Sequence, residues 1–227
     1  MMQTNLPKMA AALFDMDGTL LDTQYYWRFT VLEYLLRIGE IPTPEEYARM
    51  YHTSGRKLCP ELLAKRGIKV DYDAMVHQME RFMHRHYLFD AREKPGVRKL
   101  LDLLKARNIP MFVSTGSPRE YARDALARLD LLDYFDFVTD GYEFGISKRE
   151  PRYFEMMAQK LGIAVNELWV FEDAAYSMEN ARKAGCFVVG IAEPSQAHER
   201  EEALKQANLY FLSFDEMITC LSTSEPI

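Results

Sequence analysis

The chain has 227 residues, of which 34 are acidic and 28 basic, giving a net charge of −6. That balance argues against a nucleic-acid backbone as a general partner, because such binding rests on many phosphate-neutralising lysines and arginines; a small phosphorylated ligand needs only a few local cations. The length suffices for one large α/β domain, or a core with a small second domain, without a disulfide scaffold. Cys59, Cys186 and Cys220 are widely separated, form no CxxC pair, and read as buried reduced thiols of a cytoplasmic protein.

The start, MMQTNLPKMAAALF, has one lysine and too short an apolar stretch for a secretory signal, and no apolar run reaches membrane-span length. Residues 10–14 form a short apolar run ending at Asp15, Asp17 and Gly18, the pattern of a buried strand that runs into a polar turn. From residue 24 to residue 90 the strand signal disappears. Tyr25, Phe29, Leu32 and Leu36 suggest one helical stripe there, and Met75, Met79, Phe82 and His86 another.

Further apolar runs follow at residues 110–113, 135–138, 168–171 and 187–191. Amphipathic stretches separate them: Val97, Leu100, Leu101 and Leu104 after Pro95, a helix opened by Ser117-Pro118, then residues 153–161 and 178–184 with Gly185 as a C-terminal cap. Strand and helix alternating in this way predict an α/β fold, a Rossmann-like parallel sheet flanked by helices. The expected division is a core of residues 1–23 and 91–227, with residues 24–90 inserted as an all-α cap beside the Asp15 turn. The tail, residues 222–227, is expected to fray.

Chemistry-bearing residues sit where the predicted strands end, the side on which open α/β sheets bind ligands. In Phe14-Asp15-Met16-Asp17-Gly18-Thr19-Leu20, extended geometry would aim both carboxylates to one side, where a magnesium ion could relieve their repulsion and neutralise a phosphate. A bare DxD is more often a solvated turn; the whole run is more specific. Met111-Phe112-Val113-Ser114-Thr115-Gly116-Ser117-Pro118 supplies hydroxyls and backbone N–H groups at a helix start, suited to phosphate oxygens. Lys148, in Gly145-Ile146-Ser147-Lys148-Arg149-Glu150-Pro151, is a compact charge able to balance a phosphoryl group and a carboxylate together. Glu172 and Asp173 follow the run Leu168-Trp169-Val170-Phe171 and could complete a magnesium site.

Taken together, these four segments resemble, in order and spacing, the motifs of the haloacid dehalogenase-type superfamily: DxDGT, a hydroxyl-bearing second motif, a GKPxPD-like third and an acidic fourth. Ser147, Arg149 and Arg152 depart from the third motif, and Ala174 stands where a serine often follows the fourth. The insertion is similar to the helical cap of β-phosphoglucomutase-like and small-molecule phosphatase members.

The resemblance implies a Mg2+-dependent phosphatase acting on a small phosphorylated metabolite. Asp15 would attack phosphorus to form an aspartyl-phosphate, and Asp17 would first protonate the leaving alcohol and then act as base for water. The metal ligands would be Asp15, Asp17 through its carbonyl, and Asp173, with Glu172 a ligand or a partner through water. Thr115, Gly116, Ser117 and Lys148 would hold the phosphoryl oxygens. Arg56, in a Gly-containing connection of the insertion, is the candidate for contacting the leaving group, while His77, His84 and His86 read as a polar helix face.

Three other readings are a sugar phosphomutase, a dehalogenase and a non-catalytic binding protein of the same fold. Mutases of this family carry a histidine where Trp27 aligns, whereas residues 21–27 resemble the phosphatase run LIDSEPLW with Gln24 in place of its glutamate. Retention of Asp15, Asp17, Lys148 and Asp173 argues against a binding-only role. The oligomeric state is open.

Overall fold

A computed structural model describes residues 6–51 and 53–223. Six strands, β1 (Ala11–Phe14), β2 (Met111–Ser114), β3 (Phe137–Thr139), β4 (Leu168–Glu172), β5 (Phe187–Ile191) and β6 (Leu209–Phe211), form one sheet in the order β3-β2-β1-β4-β5-β6. Every pairing is parallel. The first five strands fall on the apolar runs predicted from sequence. The sixth is a half-buried edge strand of three residues, too short to register as a run.

Strand alternation sends successive residues of β1 to opposite faces. Ala12 and Phe14 join a cluster with α5 (Val97–Ala106), α6 (Arg119–Arg128) and α10 (Phe214–Thr223), and Phe14 stacks on Phe171 at 4.3 Å. Ala11 and Leu13 pack on the other face against α7 (Pro151–Leu161), α8 (Ala175–Ala184) and the short α9 (Arg200–Gln206). Burial on both faces is why these strands read as continuous apolar runs rather than as alternating ones. Gly185 closes α8 in the left-handed conformation, as expected of a C-terminal cap.

Between β1 and β2 the chain forms α1 (Gln24–Arg37), α2 (Pro44–Arg49), α3 (Gly55–Lys65) and α4 (Tyr72–Phe89), which carry an apolar cluster of their own around Val31, Leu35, Leu58, Leu62, Met75 and Met79. The two stripes read from sequence need correction. In α1 the buried residues are Thr30, Val31 and Leu35, while Tyr25 and Leu36 are exposed. Apolar side chains surround this helix, so periodicity alone does not select its inner face. In α4 the buried set is Met75, Met79, Met83 and Tyr87, with Phe82 and His86 half-buried. A strict four-residue step lets α4 serve two cores: Met75 and Met79 pack within the insertion, and Met83 and Tyr87 join the cluster beneath the sheet.

Ser222 and Thr223, expected to fray, close α10; residues 224–227, and residues 1–5 of the N-terminal segment, lie outside the described residues. No helix among the described residues is long and apolar enough to cross a membrane.

Candidate active site

From β1 the sheet grows one way through β2 and the other way through β4, so a crevice opens at the carboxyl ends of these strands, where the strand order reverses. Each motif arrives there by its position in the chain. Asp15 follows β1 directly, and its N–H donates to the Phe171 carbonyl at 2.9 Å. Thr115 follows β2 and is tied through its N–H to Thr139 at 3.0 Å; Glu172 ends β4 and Asp173 comes next. Gly18 turns the chain back with φ +88°, and a Cβ there would lie 2.3 Å from Asp173 Oδ2, so both the conformation and the space call for glycine.

The alternation expected to aim both aspartates to one side stops at Met16, where the chain turns. Their carboxylates consequently meet different partners. Asp15 Oδ1 accepts from Lys148 Nζ, which also donates to Glu172 Oε1 at 2.7 Å and to the Ser114 carbonyl at 3.3 Å. The second oxygen of Glu172 accepts from the N–H groups of Asp173 and Ala174, both at 3.1 Å. All of these residues are buried.

Burial raises the Asp15 pKa to about 8, with Lys148 opposing and Glu172 and Asp17 adding to the rise. Burial, followed by repulsion from Asp15 and Glu172, pushes Asp173 well above the usual carboxylate range. Burial alone would lower the Lys148 ammonium, yet Asp15 and Glu172 beside it outweigh that and hold its pKa well above the ordinary value.

Asp15, Glu172 and Asp173 each offer an oxygen, and these atoms lie within 4.8 Å of one another. Three buried carboxylates facing one lysine leave an excess of negative charge, which raises their proton affinity; an all-oxygen donor set of this kind fits a hard divalent cation. Gln24, where the resemblance led us to expect glutamate, donates from Nε2 to the Asp17 carbonyl at 2.8 Å and to Asp173 Oδ2 at 3.2 Å. Asp17 therefore adjoins this group through its main chain, and its carboxylate points elsewhere.

That carboxylate is held by hydroxyls: Thr23 Oγ1 at 2.6 Å, Ser117 Oγ at 2.7 Å, Thr115 Oγ1 at 3.4 Å and the Tyr87 phenol at 2.6 and 2.8 Å. Tyr87 also meets Ser117 Oγ at 2.8 Å, and Ser117 N–H donates to Thr115 Oγ1 at 3.1 Å. Burial, then the negative charge of Asp17, raises the phenol pKa well above its usual value, so the hydroxyl keeps its proton and donates. Sequence reading missed Tyr87 and Thr23. The four-residue step of Met75, Met79, Met83 and Tyr87 was the available signal for the first, and proximity to the DxDGT run for the second.

A cavity of about 490 Å3 opens above these groups. Asp15, Asp17 and Lys148 line its floor, and Trp27, Arg28 and Arg56 reach it from α1 and α3. Gly116 and Ser117 also border it. Arg56 arrives already paired, its guanidinium donating to Glu80 Oε1 at 2.7 Å. Of the histidines read as a polar face, His84 stacks on Tyr121 and meets Asp124 at 2.7 Å, while His86 meets Asp90 at 2.7 Å.

Known proteins are similar to this chain in sequence and in fold. The chain is 29% identical over 180 residues to the phosphorylated carbohydrates phosphatase of Thermotoga maritima, covering 78% of this chain and 82% of that one. Among solved structures it matches a predicted phosphoglycolate phosphatase from Haemophilus somnus with a TM-score of 0.78 at 16% identity, over 95% of this chain and 99% of the other. A β-phosphoglucomutase from Clostridium difficile matches with a TM-score of 0.68 at 23% identity, over 92% and 93% of the two chains. At those identities the two structures speak for the fold alone. The model for the haloacid dehalogenase-like hydrolases matches residues 12–191, a span that runs from β1 to β5 and takes in Asp15, Asp17, Thr115, Lys148, Glu172 and Asp173; the chain belongs to that family.

Proposed function

We propose that the chain is a Mg2+-dependent phosphatase of a small phosphorylated metabolite, a sugar phosphate or a related monoester, working through an aspartyl-phosphate on Asp15. The observation that carries this reading is the separation of the two aspartates. Asp15 lies against Lys148 in a carboxylate cluster that fits a hard cation, whereas Asp17 lies in a cage of hydroxyls. That difference in surroundings supports a reading in which one carboxylate takes the phosphoryl group and the other moves protons.

In this mechanism Asp15 Oδ attacks phosphorus while the Lys148 ammonium balances the charge shared by the carboxylate and the phosphoryl oxygens. Thr115, Gly116 and Ser117 bind those oxygens from the start of α6. Asp17 gives its proton to the leaving alcohol and then takes one from the water that opens the aspartyl-phosphate. Asp15, the Asp17 carbonyl, Asp173 and Glu172 would hold Mg2+, whose contribution when bound is to neutralise the carboxylates and the phosphate. The helices α1–α4, as a cap over the site, would choose the leaving group. The phosphatase relative named for phosphorylated carbohydrates supports a sugar-like ester as the first class to try.

Phosphate release across a panel of phosphometabolites, in Mg2+ and in chelator, tests the proposal. Wild type in Mg2+ should release phosphate, and Asp15→Asn should not. Equal rates for the two proteins would refute it. A hexose 1-phosphate in the panel separates hydrolysis from isomerisation, since a mutase returns an isomer in place of free phosphate.

A further inference from the structure

Two arginines face the cavity without a carboxylate partner, and each lies over a tyrosine. Arg28 of α1 is half-buried, with its guanidinium 5.4 Å from the centre of the Tyr51 ring. Arg149, beside Lys148, sits 4.1 Å over the Tyr176 ring. All four residues line the cavity. Among the described residues neither guanidinium has an acidic group within 4.0 Å, whereas the cavity's other basic side chains, Arg56 and Lys148, each do.

The nearby acids are already engaged. Glu193 attracts Arg28, but its Oε2 accepts from Lys94 at 2.7 Å and its Oε1 from the Ser195 N–H at 3.1 Å. Glu199, also on the cavity wall, is 3.7 Å from His198. Arg56, the cation of the insertion first suspected, is neutralised by Glu80. Stacking on a ring orients a guanidinium while leaving its N–H groups free to donate. Arg149 is exposed, but Arg28 is half-buried, and a half-buried guanidinium without an anion is costly unless a ligand supplies one; the planar fork matches a carboxylate or a phosphate.

We infer that the leaving group carries a second anionic oxygen group, a carboxylate or a second phosphate, received by Arg28 on the insertion side of the cavity, which Arg149 also lines. This rests on the phosphatase reading of the Asp15 site and narrows its substrate to esters that are anionic at both ends. Arg28 is here a specificity residue: it contacts the part of the substrate that does not react, so its loss should appear in KM more than in kcat.

Two measurements test this. The first compares kcat/KM within matched series: glycerol 3-phosphate against 3-phosphoglycerate, and glucose 6-phosphate against 6-phosphogluconate and fructose 1,6-bisphosphate. The anionic members should be preferred in at least one series, and whether the carboxylate or the bisphosphate leads identifies the group. Arg28→Met should raise KM for the preferred ester about 10- to 100-fold, the equivalent of one charge-assisted bond, and raise KM for the neutral esters far less; Arg28→Lys should fall between. Neutral esters used as well as anionic ones, or an Arg28→Met loss equal across all esters, would overturn the inference.

The second measurement does not depend on turnover. Asp15→Asn, titrated calorimetrically with the same esters, should bind the anionic members more tightly, and adding Arg28→Met should erase that difference. If no ester is hydrolysed but this binding preference holds, the phosphatase reading fails and the anion site stands. If hydrolysis is found without any binding preference, the anion site fails by itself. Equal melting temperatures of Arg28→Met and wild type check that a loss comes from the contact and not from the fold.

Discussion

Replacing Tyr87 by phenylalanine removes one oxygen from a fully buried side chain and leaves the ring in place. The lost hydroxyl lies 2.6 and 2.8 Å from the two Asp17 oxygens. It has one proton, so one hydrogen bond to a carboxylate disappears, worth about 1.5–3 kcal/mol. Thr23 and Ser117 remain at 2.6 and 2.7 Å, so the carboxylate is loosened and not stranded. For a chain of this size the expected fall in Tm is roughly 3–12 °C. Loss of the same bond should reduce proton transfer by Asp17 about tenfold or more. The informative assay is kcat/KM on two esters, one alkyl phosphate and p-nitrophenyl phosphate, with Tm measured alongside. The alkyl alkoxide needs a proton to leave and the nitrophenolate does not, so Tyr87→Phe should lose more on the alkyl ester. Equal losses on both, or no change in either rate or Tm, would refute the idea that the phenol positions Asp17 for proton transfer.

Other outcomes follow from the same contacts. In chelator, Asp15 is held at about 8, so the stability it contributes is complete below its ordinary value near 4 and declines as pH rises toward 8; Asp173 is displaced in the same sense. Mg2+ pairs with the ionised carboxylates, and the rise in Tm on adding Mg2+ should therefore grow between about pH 5 and about pH 8; a constant or shrinking increment in a thermal-melt series would contradict this. Gly18→Ala places a Cβ 2.3 Å from Asp173 Oδ2 at φ +88°, so it should cost about 1–3 kcal/mol in urea unfolding and weaken Mg2+ binding in calorimetry; wild-type values for both would show that the turn tolerates a side chain. Burial pushes the Cys59 thiol to about 11 and the Cys186 thiol to about 12. Both should resist a disulfide reagent at about pH 8 until the chain is denatured, and prompt native labelling in a peptide map would count against their burial.

The parts of the site visible in the sequence are those that sit at strand ends. A parallel strand buried on both faces reads as a continuous apolar run, and so Asp15, Thr115 and the Glu172-Asp173 pair could be placed at the crevice before any coordinates. Lys148 came from its motif. What could not be read depends on distant pairing. Tyr87 reaches Asp17 across 70 positions only because α4 steps by four residues from one core into the other. Arg28 and Arg56 look alike in sequence, and the pairing of Arg56 with Glu80, 24 positions away, separates them. Similarly, Arg149 is a departure from the third motif that makes sense only once Tyr176 is found beneath it.

The central claim, that Asp15 receives the phosphoryl group and Asp17 handles the protons, is tested most directly by trapping. Asp17→Asn, mixed with p-nitrophenyl phosphate and Mg2+ and quenched in acid, should accumulate one phosphoryl group that peptide mass spectrometry places on Asp15, because the leaving group needs no proton but the water that clears the intermediate has lost its base. Phosphoryl on Thr115 or Ser117, or no trapped phosphoryl group in a variant that still turns over, would contradict the account.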